Sequence, residues 1–178
     1  MTRRFIRYLA TTDSSPIGMV ALGYLSGLLR IAPVRVGSMT GGSMSGRWEH
    51  YSQLLATPMT EDYVNVVCCA PERWVWEQRV TMPRRRPDGT MDPAGEVTSG
   101  RQELYTEGKR NILIADHFPP ESHLVIAALR YEALVVPDRV SCDFWSAMAR
   151  SYDHSVRASV IPLPIGPDYE PLRSVVMP

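Results

Sequence analysis

The sequence predicts an α/β fold, with a mainly parallel sheet and helices on both faces. Three observations predict it. Short runs rich in Val, Ile and Leu lack period-two alternation, as strands buried on both faces do. Stretches of helical periodicity separate those runs, so that strand and helix alternate along the chain. The length, 178 residues, and the composition, 44% hydrophobic and 21% charged, suit one globular domain and exclude a disordered chain.

Each element has a local reason. Phe5 to Ala10 is an apolar-rich first strand, and Thr11-Thr12-Asp13-Ser14-Ser15-Pro16 ends it with turn and cap residues. Ile17, Val20, Ala21, Tyr24, Leu25, Leu28 and Leu29 then form one helical stripe. Ser15 is a natural N-cap, and Pro16 suits the first helical position, where its missing N–H is not needed. Pro33 closes this helix, and Val34 to Val36 begins a second strand. Gly37 to Gly46, rich in Gly and Ser, reads as a loop. Trp48, Tyr51 and Leu55 suggest a short helix, and Tyr63 to Cys69 (YVNVVCC) a buried strand.

Pro71 to Val80 fits helix or strand, and the proline at its start favours a helix there. Pro83 to Gly100, with three prolines, three glycines and the Arg84-Arg85-Arg86 triplet, reads as an exposed excursion or a hairpin. Regular alternation then resumes. Asn111 to Ala115 is a strand, Glu121 to Tyr131 a helix, and Ala133 to Val136 a strand. Asp138 to Arg150 is a helix capped by Asp138, and Val156 to Ile161 a last strand. Residues 161–178 form an extended, proline-rich C-terminal tail.

Charge excludes some functions. Nineteen basic residues balance nineteen acidic ones, so no overall field draws the chain to nucleic acid. No apolar run reaches the roughly 18 residues of a membrane span. Cys68, Cys69 and Cys142 have no metal-type spacing and read as small core residues of a reduced, cytoplasmic protein. No histidine lies at ligand spacing from another, so no metal site is expected.

Two places carry chemistry. Ser14, Ser15 and Gly18 lie where the first strand meets a helix N-terminus, whose free N–H groups and dipole suit a phosphate or other anion. Asp116 and His117 follow the carboxyl end of a strand, where open parallel sheets gather ligands; a carboxylate beside a histidine offers an orienter and a general base. In each case a plain capping turn or a solvated loop is the competing reading.

The last third resembles a known pattern. Asn111-Ile112-Leu113-Ile114, then Tyr131-Glu132-Ala133-Leu134-Val135-Val136-Pro137, then Ser159-Val160-Ile161-Pro162-Leu163-Pro164-Ile165-Gly166-Pro167-Asp168-Tyr169-Glu170-Pro171 follow in order. The series is similar to the N-terminal half of GT-B glycosyltransferases, in which a VIPxGID-type segment hands over to a second, donor-binding half. The resemblance implies a single Rossmann-like domain spanning residues 1–178. It also implies a nucleotide sugar, but only if a donor-binding half is supplied. The sequence stops about ten residues past that segment, so the isolated chain is expected to lack sugar transfer.

The expected role is a non-catalytic, structural or interaction component of a larger protein assembly, such as a virion or other particle assembled in the cytoplasm. A homo-oligomer is a further possibility, and no cofactor is expected. The alternative is the acceptor-side subunit of a split glycosyltransferase. The resemblance and the apolar tail together make Ile161, Leu163, Ile165, Tyr169, Val175, Val176 and Met177 the expected docking residues, since prolines preset an extended conformation and exposed Val, Ile and Met need cover.

Overall fold

The computed structural model describes residues 4–40, 44–74, 76–81, 84–92, 97–102, 104–116, 118–119 and 121–162. The chain forms β1 (Phe5–Ala10), α1 (Pro16–Ile31), β2 (Val34–Ser38) and β3 (Tyr63–Cys68). A hairpin follows, built from β4 (Trp76–Thr81), β5 (Arg84–Arg85), β6 (Met91–Asp92) and β7 (Val97–Gln102). The alternation then resumes with β8 (Arg110–Ile114), α2 (Ser122–Leu129), β9 (Ala133–Val136), α3 (Arg139–Ser151) and β10 (Arg157–Val160).

Six strands make one sheet in the order β10-β9-β8-β3-β1-β2, and every pairing in it is parallel. The chain steps outward from β1 to β2, returns to β3 on the other side of β1, and then continues outward. That reversal between β1 and β3 is the switch point of a doubly wound, Rossmann-like fold. Sidedness follows from the pleat. Tyr8, Val66 and Ile114 face α1 and Trp48, whereas Val67, Leu113 and Leu134 face α2 and α3. Helices therefore cover both faces, as the sequence predicts.

The first helix shows how the local sequence dictates this layering. Ser15 caps it by accepting the Gly18 N–H at 3.2 Å, and Pro16 occupies the first turn. The helix then buries Ala21, Tyr24 and Leu25 of its stripe together with Leu22, while Leu29 at the far end of the stripe is exposed. Beneath it the Tyr8 hydroxyl donates to the Ala21 carbonyl at 2.8 Å, so the one polar atom of a fully buried ring is satisfied. On the opposite face Trp145 is fully buried, with its ring centroid 6.1 Å from that of Trp74. Asp138 caps α3 by accepting the Ser141 N–H at 2.7 Å.

One expected element is corrected. Residues 71–80 are not a helix: Pro71–Arg73 is a single 3-10 turn, and Trp76–Thr81 is a strand paired antiparallel with Val97–Gln102. Proline does start a turn, but the Trp and β-branched residues that follow favour a pleated partner. The excursion is thus a hairpin, and it is wider than 83–100. Gly89, at φ +86°, closes its inner turn.

Candidate functional site

The carboxyl end of the sheet at the switch point concentrates polar groups. β1 runs out into a turn in which the Asp13 carboxylate accepts the Ser15 backbone N–H at 3.0 Å and the Ser15 hydroxyl. A side chain at Gly18 would meet the Asp13 carbonyl at 2.2 Å and its carboxylate at 2.7 Å, so only glycine allows that approach. Trp48 holds the turn from below, its indole N–H donating to the Gly18 carbonyl at 2.9 Å. Gly46, at φ +61°, passes so close to Ser14 that a Cβ there would lie 2.3 Å from the Ser14 hydroxyl.

Next to this turn, three hydroxyls meet. Thr12 lies 2.6 Å from Ser38 and 2.8 Å from Thr40, and the last two are 2.9 Å apart. Thr12 is fully buried, which ties the end of β1 to the end of β2. Arg73 donates to the carbonyl of Met39, just past β2, whose own N–H donates to the Ala10 carbonyl at the end of β1 at 2.8 Å.

Asp116 sits half-buried at the end of β8. Its charge adds to the upward push that burial gives the Cys68 thiol and the Tyr24 hydroxyl. Burial raises the Cys69 thiol from 9.0 to about 12, with Arg73 pulling it down and Glu72 pushing it up. Buried thiols held protonated are poor nucleophiles and poor metal ligands. All three cysteines are free. Among the described residues, no cluster of His, Cys, Asp or Glu is arranged to hold a metal ion.

The structure thus brings Ser14, Ser15 and Gly18 together at the N-terminus of α1, as the sequence predicts, with Asp13 among them. Asp116 takes its place at a strand end, whereas His117 lies outside the described residues. Of the docking residues, Ile161 is 47% exposed at the end of the edge strand. Its N–H donates to Val136 at 3.0 Å and its carbonyl accepts the Tyr24 hydroxyl at 2.8 Å. Leu163, Ile165, Tyr169, Val175, Val176 and Met177 lie outside the described residues. No family model, curated protein or solved structure gives a significant match to the chain. Among the described residues, no helix is long and apolar enough to cross a membrane.

Sequence reasoning missed Arg73 and the hydroxyl triad. The one available signal was the placing of Thr11-Thr12 and Ser38 at strand ends, a pattern that ordinary turns share.

Proposed function

We propose that this chain acts as a glycosyltransferase-like half-domain serving as an interaction component of a larger protein assembly, without catalysing sugar transfer by itself. One observation carries the reading. At the switch point, where doubly wound folds take a phosphate on a helix N-terminus, α1 already holds an anion of its own. The Asp13 carboxylate lies against Gly18, and the Ser15 hydroxyl takes the Gly18 N–H. A nucleotide phosphate arriving there would meet a like charge and a donor already engaged.

The exposed Val160 at the end of edge strand β10 and Ile161 just past it support the same reading, because they lead into the segment expected to dock. The experiment is a transfer assay of the purified chain with UDP-glucose and GDP-mannose, following release of the nucleotide diphosphate. No chain-dependent release is expected, and measurable release overturns the proposal.

A second reading, the acceptor-side subunit of a split glycosyltransferase, draws on Arg73 and the hydroxyls of Thr12, Ser38 and Thr40 beside the same crevice. A partner would supply the donor site for the nucleotide sugar. Release that appears only when the co-purifying protein is added back would favour this second reading over the first.

A further inference from the structure

The face of the sheet that carries α2 and α3 changes character over β1 and β2. There Arg7, Leu9, Arg35, Gly37, Leu55 and Met59 line a groove of about 500 Å3, within the range of small-molecule sites. Arg7 and Arg35 are direct register partners on adjacent parallel strands, as are Leu9 and Gly37 one step along the same face. Like charges placed opposite each other on a sheet repel, and an anion between them removes the repulsion. Arg7 spends one N–H on the Thr106 hydroxyl at 3.0 Å, and Arg35 is exposed. Among the described residues, no ion pair joins either guanidinium to a carboxylate.

The groove has two kinds of lining. Its two arginines can grip a carboxylate or phosphate through paired N–H groups, a geometry that guanidinium fits better than ammonium does. Leu9, Leu55 and Met59 supply apolar lining. Gly37 keeps the floor low, since a Cβ there would come within 2.5 Å of the Leu9 side chain.

We propose that this groove binds a small amphiphilic anion, its acidic head between Arg7 and Arg35 and its apolar body along Leu9, Leu55 and Met59. The site is independent of the switch-point crevice and of the assembly role. Octyl phosphate is a suitable probe, with inorganic phosphate and octyl glucoside testing each kind of lining alone. Titration calorimetry of the full chain is expected to show saturable octyl phosphate binding, at least tenfold tighter than either control.

Arg35→Glu should weaken that binding at least tenfold. So should Met59→Glu, which puts a carboxylate into the apolar lining on a half-buried loop residue and keeps the test valid if the first variant folds poorly. Absence of saturable binding overturns the proposal. Equal binding of octyl glucoside, or unchanged affinity in the folded variants, overturns it as well.

Discussion

One row of side chains crosses four strands of the sheet and changes from solvated to sealed along its length. Arg35, Arg7, Asn65 and Asn111 are register neighbours on β2, β1, β3 and β8 and share one face. Arg35 is exposed and Arg7 half-buried, whereas both asparagines are fully buried. The cause of the difference is cover. Over β3 and β8 the segment from Leu104 to Lys109 folds down on the sheet; over β1 and β2 the groove stays open.

Where cover exists, every polar group of Asn111 is used. Its oxygen accepts from Asn65 at 2.9 Å and from the Thr106 N–H at 2.8 Å. Its amide nitrogen donates to the Thr106 and Lys109 carbonyls at 2.8 and 2.6 Å. Asn65 donates in addition to the Leu104 carbonyl at 2.7 Å. A buried amide can thus serve as a clasp for a loop that has no ladder partner there. The same row, uncovered, is free to meet a ligand.

Four substitutions along the row sharpen this comparison, each read as unfolding free energy from urea titration. Asn111→Leu should have the largest effect, about 3 kcal/mol of lost stability, because it strands several buried donors and acceptors at once. A loss below half of that would mean that water replaces the clasp. Asn65→Leu should follow at about 1–2 kcal/mol, since it removes two hydrogen bonds. The loss is limited because the Asn65 oxygen is itself buried without a partner, so its removal returns part of the penalty. Arg7→Met should lose less than about 1 kcal/mol, for one half-buried hydrogen bond to Thr106. Arg35→Gln should fall within about 0.5 kcal/mol of wild type, with relief of the like charge favouring the variant. A reversed order would break the link between cover and energetics.

The asparagines also show where sequence reading stops. The parallel sheet was legible because Tyr63–Cys68 and Arg110–Ile114 are apolar runs without alternation, and α1 because its stripe, N-cap and first-turn proline agree. Asn65 and Asn111 interrupt the same runs, but their pairing spans 46 residues and depends on strand register, which no local pattern encodes. The sequence leaves the hairpin strand at Trp76–Thr81 open between helix and strand for a related reason. Pro71 sets only one turn, and the antiparallel partner that fixes the strand begins at Val97. At the candidate site the N-cap was visible in Ser15. The presence of Asp13 against Gly18 was not, since it follows from the close fold-back of the turn.

The bond between Tyr24 and Ile161 has a consequence in time. It joins residues 137 positions apart, one on the first helix and one just past the last strand of the sheet. At roughly 5–20 residues per second, a ribosome needs about 7–27 s to travel that distance. Throughout that interval the hydroxyl of Tyr24 lacks its Ile161 acceptor, and between the making of Val136 and that of Val160, about 1–5 s at the same rate, β9 has no neighbour on its outer side. The edge of the growing sheet therefore rests on the more apolar β9 until β10 is made and takes its place, and those seconds are when a chaperone would have the most to hold.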